Sequence, residues 1–179
     1  ARENNLEYVV ARQADFVQGD ATNFTLDEKF GLTVSTFDAL NHLPDEGALQ
    51  SCFQSVFNIL LEDGYFIFDL NTRFGLRRWG GISVQDEEDL VLITRGVVSE
   101  EEGRAYSQIS GFLRQEDGRY ERFGDVAYNT IFALNEVEEA LADHGFTHVH
   151  FASTHDLETP LEAPETYGRV AVLAQKGEA

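Results

Sequence analysis

The sequence has few basic residues for its size, and this shortage excludes two classes of partner. It contains 13 Lys and Arg against 32 Asp and Glu, which gives a formal net charge of −19 at pH 7. Proteins that hold nucleic acid or anionic membrane surfaces use Lys and Arg to neutralise phosphates. We therefore expect no nucleic-acid partner and no membrane partner. Arg73, Arg77 and Arg78 are close in sequence and leave room only for a local basic pocket.

Cysteine and long apolar runs are also scarce. Cys52 is the only cysteine, so the chain cannot form an internal disulfide. A reducing cytoplasm is the simplest setting for such a protein. No apolar run approaches the roughly 18 residues of a membrane-spanning helix, and no signal-peptide pattern opens the chain. We expect a cytoplasmic protein.

Methionine is absent altogether, and the chain begins at Ala1 with no helix cap or chain breaker. Both features lead us to expect that further residues precede Ala1 in the natural protein; a processed chain of unusual composition is the alternative. What the chain does contain is 42% hydrophobic and 12% aromatic residues in a length of 179. That is enough apolar material for one folded domain with a substantial core.

A strand, a helix and a second strand follow one another in the first half of the chain. β-Branched residues predict a strand at 30–36, and a continuous apolar run predicts another at 65–70. Between them, apolar residues recur at the spacing of one helix face. They are Leu49, Cys52, Phe53, Val56, Phe57, Leu60 and Leu61. Pro44 and Asp45 suit the start of this helix and Asp63-Gly64 its end, so the pattern predicts a parallel α/β sheet.

Residues 82–132 have a different pattern. Consecutive strand-like runs separated by turn signals predict an antiparallel meander that is inserted into the parallel sheet or lies at its edge. Further strands are predicted at 14–20, 146–153 and 169–175, and a helix capped by Asn135 is predicted before Gly145.

Three strand ends carry most of the polar side chains that are suited to ligand binding. They are Gly19-Asp20-Ala21, the loop from Ser35 to Leu43, and the segment from Asp69 to Arg73. In an open α/β sheet, ligands bind outside the carboxyl ends of the strands. The sequence therefore predicts that these three turns meet at one cleft.

The order of these motifs resembles the second half of class I S-adenosylmethionine-dependent methyltransferases, in the small-molecule branch with a strand-rich insertion. The similarity is carried by Phe-Val-Gln-Gly-Asp-Ala at 16–21, by residues 30–43, and by Leu-Leu-Glu-Asp-Gly-Tyr-Phe-Ile-Phe-Asp at 60–69. The resemblance implies an α/β fold: a Rossmann-like, mostly parallel sheet with an antiparallel β insertion. It also implies one domain over 1–179, incomplete at its N-terminus, with the insertion at 82–132.

The same resemblance implies S-adenosylmethionine as cofactor and methyl transfer to a nitrogen or oxygen of a small molecule. Asp20 and the Ala21 backbone would meet the adenine. Thr36, Phe37 and Leu40 would line the methionine end. The residues implied to face the acceptor pocket are Asn41, His42, Asn71, Arg73 and Trp79.

His42 is the candidate general base, because its ordinary pKa lies near 6.5 and a hydroxyl acceptor benefits from a positioned base. Its alternative role is to order the loop or cap the following helix. Trp79 is as well suited to packing as to a pocket wall. The spacing of His148, His150 and His155 is weak evidence for a metal, and we expect none.

The family's first strand and its glycine-rich turn have no counterpart in the sequence. We therefore expect about thirty or more residues, at least one strand-helix-strand unit, before Ala1. Two other functions remain open: an NAD(P)- or flavin-binding oxidoreductase, and a non-catalytic S-adenosylmethionine-binding domain. A glycine-rich dinucleotide fingerprint in the preceding residues would favour the oxidoreductase. A homodimer is the assembly that we consider.

Overall fold

A computed structural model describes residues 3–177 of the chain. The helices are α1 Leu6–Val10, α2 Glu46–Ile59, α3 Arg73–Arg77 and α4 Leu134–Asp143. The strands are β1 Phe30–Ser35, β2 Leu60–Asn71, β3 Gly81–Asp86, β4 Leu90–Ser99, β5 Arg104–Arg114, β6 Tyr120–Thr130, β7 Phe146–Ser153, β8 Asp156–Pro160 and β9 Arg169–Lys176. Within this described part of the chain, no helix is long and apolar enough to cross a membrane.

One sheet has five strands in the order β1-β2-β9-β7-β8. β1 and β2 run parallel and are joined through α2, whereas β9 is antiparallel to both β2 and β7. β8 is antiparallel to β7. The α/β fold expected from the sequence is therefore confirmed, with a mixed sheet. Over residues 3–177, β1 and β2 are the one parallel pair in it.

Helices α2 and α4 cover one face of this sheet. The apolar stripe of α2 packs on the side of β2 that carries Phe66 and Phe68, and Phe53 lies at the centre of the contact with 0% of its surface exposed. Its ring centroid is 6.2 Å from that of Phe66 and 5.6 Å from that of Phe68. The opposite face of the sheet carries Leu32 and Val34, which are both about half exposed.

The ends of the two long helices are fixed in different ways. The Asp45 side chain accepts a hydrogen bond from the Ala48 backbone N–H at 2.8 Å and caps α2, as the sequence predicts. The prediction that Asn135 caps α4 is wrong. The backbone N–H of Leu134 donates instead to the Glu165 carboxylate, 3.0 Å away, so the cap comes from a distant loop.

Three features differ from the sequence prediction. The helix predicted to end at Asp63-Gly64 ends at Ile59, so Leu60 and Leu61 belong to β2. Residues 14–19 form no strand, and Asp20 makes only an isolated bridge to Asn23; a strand needs a pairing partner, and this segment has none among the described strands. The turn predicted at Asp63-Gly64 is an irregularity inside β2, where Asp63 has a φ of 61°. A side chain at Gly64 would lie 2.8 Å from the Leu61 carbonyl oxygen, so glycine is required there.

The second sheet is the antiparallel meander β3-β4-β5-β6, whose strands span Gly81 to Thr130. Its largest buried cluster is small and contains Leu76, Ala105 and Ile131, with Trp79 and Val98 packed against it. All six residues of β3 are exposed. The four strands are thus held mainly by their ladders and by their attachment to the first sheet.

Candidate functional site

The carboxyl ends of β1 and β2 form the wall of a cavity of about 320 Å³. Two of the three segments predicted to bind a ligand meet here: Ser35, Thr36 and Phe37 after β1, and Asp69 near the end of β2. Most of the lining is apolar, and the hydroxyls, the carboxylate and Arg169 supply its polar groups. The remaining lining residues are Val34, Ile67, Phe68, Thr154, Leu157 and Ala171.

The turn after β1 has an unusual backbone. Phe37 and Asp38 both lie in the left-handed region, with φ values of 61° and 49°, which is costly for residues other than glycine. The Asp38 backbone N–H donates to both carboxylate oxygens of Asp69, at 3.3 and 3.2 Å. The turn therefore depends on a contact with the neighbouring strand, and it leaves Phe37 82% exposed.

Arg169, at the start of β9, completes this arrangement. Its Nη2 donates to the Asp38 carboxylate, and its Nη1 lies 3.2 Å from Asp69 Oδ2. Its Nε donates to Asn71 Oδ1 at 3.1 Å. Arg169 was not among the residues that sequence reasoning selected. The signal available was an isolated arginine immediately before the buried apolar run at 170–174.

Asn41 and Asn71 form a buried network with the end of β6. Asn41 Nδ2 donates to the carbonyl oxygens of Asn71 and Thr130, at 3.2 and 2.9 Å, and Asn41 Oδ1 accepts from the Asn71 backbone N–H at 2.9 Å. Asn71 Nδ2 donates to Asn129 Oδ1 at 2.9 Å. These bonds engage both amide groups with the protein itself and join the two sheets.

His42 is exposed and lies on the same loop. Its Nδ1 is 2.7 Å from the Tyr128 carbonyl oxygen. A carbonyl oxygen can only accept, so Nδ1 carries the hydrogen and Nε2 of the neutral ring keeps its lone pair. The same loop is also tied to the meander through Leu43, whose carbonyl accepts from the Thr130 hydroxyl at 2.6 Å. The adjacent Pro44 carbonyl accepts from Arg104, 3.1 Å away.

The Asp20 turn is separate from this cavity. Asp20 Oδ1 accepts from the backbone N–H and the hydroxyl of Thr22, at 2.9 and 2.8 Å, and these bonds hold the pKa of Asp20 below its ordinary value. With Ala21 it lines a second cavity of about 440 Å³. The turn is attached to α2, because Ser55 donates to the Thr22 carbonyl at 3.3 Å. The structure thus brings two of the three predicted turns into one cavity.

The other predicted site residues lie in different surroundings. Leu40 is buried in the core of the first sheet. Arg73 and Arg77 each donate to Glu100 at 2.6 Å, and the hydrogen bond from Arg77 is the main cause of a lowered pKa of Glu100. Trp79 borders a cavity of about 250 Å³ on the meander. The described residues contain no group of three or more potential metal ligands.

Known proteins share this arrangement of elements. The chain is 23% identical over 164 residues to a protein of Geobacillus sp. (strain WCH70) named as a putative methyltransferase, and the match takes in 90% of this chain and 65% of that protein. The structure is similar to the crystal structure of an S-adenosylmethionine-dependent methyltransferase from Clostridium acetobutylicum ATCC 824. The TM-score is 0.81 at 20% identity, over 98% of this chain and 70% of that chain.

A further solved structure with this similarity is the sugar N-methyltransferase KedS8 from Streptoalloteichus sp ATCC 53650. The TM-score is 0.71 at 18% identity, over 93% of this chain and 62% of that chain. No family model matches the chain. The resemblance to methyltransferases noted in the sequence is confirmed, and the fold is that of S-adenosylmethionine-dependent methyltransferases. The chain spans between 54% and 65% of the length of the curated relatives that it matches.

Proposed function

We propose that this chain is part of an S-adenosylmethionine-dependent methyltransferase that methylates a nitrogen or oxygen of a small molecule. The observation that carries the proposal is the cavity where Thr36, Phe37 and Asp69 meet at the carboxyl ends of two parallel strands. Ligands of open α/β sheets bind at this edge. The proposal includes a Rossmann-like, mostly parallel sheet in the whole protein and one domain with an insertion at 82–132.

The residues of the cavity suit the methionine end of the cofactor. The volume of about 320 Å³ falls within the range of small-ligand sites. Apolar walls exclude water, and the Ser35 and Thr36 hydroxyls can bind the polar groups of an amino acid. Asp69, Asp38 and the Arg169 that pairs with both carry a formal net charge of −1 at this cavity, which suits a cationic sulfonium. When bound, S-adenosylmethionine supplies a methyl group already activated for displacement, so the protein need not activate it.

The adenine end is assigned to Asp20 and the Ala21 backbone. Hydrogen bonds from Thr22 lower the pKa of Asp20, so its side chain is a carboxylate at neutral pH and can only accept. An acceptor of this kind suits an exocyclic amine. Asp20 lines a separate cavity, so this part of the proposal requires one ligand to reach from one cavity to the other.

His42 is assigned the removal of a proton from the acceptor. Its Nδ1–H is engaged by the Tyr128 carbonyl, which leaves Nε2 as the basic nitrogen. A neutral imidazole nitrogen of this kind can accept a proton from a hydroxyl or an ammonium group.

Three of the residues expected in the acceptor pocket make hydrogen bonds within the protein. Asn41 donates to the Asn71 carbonyl, Asn71 to Asn129, and Arg73 to Glu100. We therefore assign Asn41 and Asn71 to positioning the loop at 36–43, and Arg73, which pairs with Glu100, to holding α3 against the meander.

The net charge of −19 supports a small-molecule substrate over nucleic acid. Two exposed apolar side chains on the same face of the edge strand β3, Ile82 and Val84, support its use as the contact of a homodimer. A reducing cytoplasm remains the expected location.

Calorimetric titration with S-adenosylhomocysteine tests the donor assignment. We expect micromolar affinity, about −8 kcal/mol, and a loss of at least about tenfold in Asp20→Ala. Asp117→Ala is the matched control, because Asp117 also accepts from a backbone N–H two residues ahead, in an exposed turn of the meander. Binding of NAD or a flavin in place of S-adenosylhomocysteine would point to an oxidoreductase. Tight binding without turnover on any acceptor would point to a non-catalytic domain.

A further inference from the structure

We propose that Arg169 is a positioning residue that fixes the turn after β1 and thereby shapes the wall of the ligand cavity. This inference rests on the proposed function for its consequence, but its structural part can be tested separately. Arg169 lies at the start of β9, opposite Asn71 in the ladder of the first sheet. It is far in sequence from the turn that it contacts.

The turn is intrinsically unfavourable. Two consecutive residues, Phe37 and Asp38, lie in the left-handed region; Asp is one of the few residues besides glycine that adopt it, but a bulky residue such as Phe37 is disfavoured there. Such a conformation persists only when surrounding contacts determine it. Without those contacts, the backbone between Thr36 and Asp38 would relax and the wall of the cavity would change shape.

The contacts come from two carboxylates and one guanidinium. Asp69 holds the Asp38 backbone N–H at 3.3 and 3.2 Å. Arg169 pairs with the side chains of both Asp38 and Asp69. Its single positive charge therefore offsets the repulsion between two carboxylates that lie close together. The planar fork of arginine suits this geometry, since different nitrogens face different partners.

A third contact fixes the direction of the fork. Arg169 Nε donates to Asn71 Oδ1 at 3.1 Å, and Asn71 is itself held by Asn129 and by Asn41. The buried network thus orients the Arg169 guanidinium, and the guanidinium in turn holds the Asp38 side chain in the turn. Lysine has one ammonium group and cannot reproduce the three contacts together.

Amide hydrogen exchange and calorimetry of variants test the proposal. Arg169→Met is expected to speed exchange of the Asp38 amide by about tenfold or more and to weaken S-adenosylhomocysteine binding by a similar factor. Amides of the buried strand β9 beyond Val172 should keep their protection. Asp38→Asn retains the backbone N–H and an acceptor oxygen but removes the ion pair, so it should have the same effects to a smaller degree.

Two further variants separate positioning from a general loss of stability. Arg169→Lys should restore part of the Asp38 protection and part of the affinity. The double variant Arg169→Met/Asp38→Asn should be no worse than the more severe single variant, because the two side chains act through one contact. Arg119→Met is the control, since Arg119 pairs with Asp117 in an exposed turn, and it should change neither measurement.

The outcomes are distinct. Unchanged Asp38 protection and unchanged affinity in a folded Arg169→Met protein would overturn the proposal. If that variant does not fold, the same reading is made on Arg169→Lys and Asp38→Asn. If the parent protein does not bind S-adenosylhomocysteine, the proposed function fails, and the exchange of the Asp38 amide alone decides the role of Arg169.

Discussion

The two sheets of this molecule are stabilised in different ways. The five-stranded sheet is covered by α2 and α4 and has an extended aromatic core around Phe53. The four-stranded meander has longer and more regular ladders, but its buried cluster contains only Leu76, Ala105 and Ile131. Apolar burial thus stabilises the first sheet, whereas strand pairing and a polar joint hold the second. The comparison predicts that equivalent substitutions have very different costs in the two regions.

The largest difference is expected between two phenylalanines. Phe53→Ala removes a ring that is 0% exposed and should lower the free energy of unfolding by about 3–5 kcal/mol. Phe112→Ala, on the meander, removes a ring that is 38% exposed and should cost less than about 1 kcal/mol. Urea unfolding of both variants measures the difference. Equal losses of unfolding free energy would contradict the idea that apolar burial stabilises the five-stranded sheet and strand pairing stabilises the meander.

The next largest loss of stability is expected at the joint between the sheets, which is the buried hydrogen-bond network of Asn41, Asn71, Asn129 and Thr130. Asn41→Ala removes three buried hydrogen bonds and leaves the Asn71 N–H and the Thr130 carbonyl without that partner. We expect a cost of about 2–3 kcal/mol. Hydrogen exchange should rise most at the joint and in the adjacent end of β6. Asn58→Ala, on the exposed side of α2, is the control and should have little effect; if the two cost the same, the joint contributes nothing special.

A smaller loss of stability is expected where the turn after α3 approaches the meander. A side chain at Gly96 would overlap the Trp79 carbonyl oxygen, so Gly96→Ala must push the two segments apart. We expect a cost of about 1–2 kcal/mol. Gly81→Ala is the matched control, because a side chain there would meet no atom within 4 Å. A thermal melt of each variant distinguishes them, and equal melting temperatures would refute the close approach.

The smallest effect concerns Cys52, in the core of the first sheet. Burial raises the pKa of this thiol from 9.0 to about 11. The folded state therefore keeps the proton longer than the unfolded state does, and its contribution to stability is complete below pH 9 and is lost as the pH rises towards 11. A thiol reagent should fail to label Cys52 at pH 8 unless denaturant is added. Rapid labelling of the native protein would show that this core is open.

Local signals in the sequence were sufficient for the elements that depend on neighbours along the chain. The stripe of α2 as far as Phe57, the Asp45 cap and the meander follow from periodicity and turn residues, and the structure contains them. The cap of α4 could not be found in this way, because Glu165 is thirty-one positions from the N–H that it accepts.

The candidate site divides along the same line. The cavity residues Thr36, Phe37 and Asp69 were selected because strand ends are visible in the sequence. Arg169 was missed because nothing near it in the chain indicates that its partners are Asp38 and Asp69. The segment at 14–20 was assigned to a strand on its composition alone, whereas strand formation depends on a paired neighbour.

The bonds between the 41–44 loop and the ends of β5 and β6 have a thermodynamic consequence. The 41–44 loop follows the turn that lines the cavity, and it shares these polar contacts with the base of the meander. If occupancy of the cavity shifts this loop, a molecule bound to the meander and one in the cavity must change each other's affinity by the same factor. In that case the four-stranded meander would influence ligand affinity in the five-stranded sheet through the contacts of the 41–44 loop.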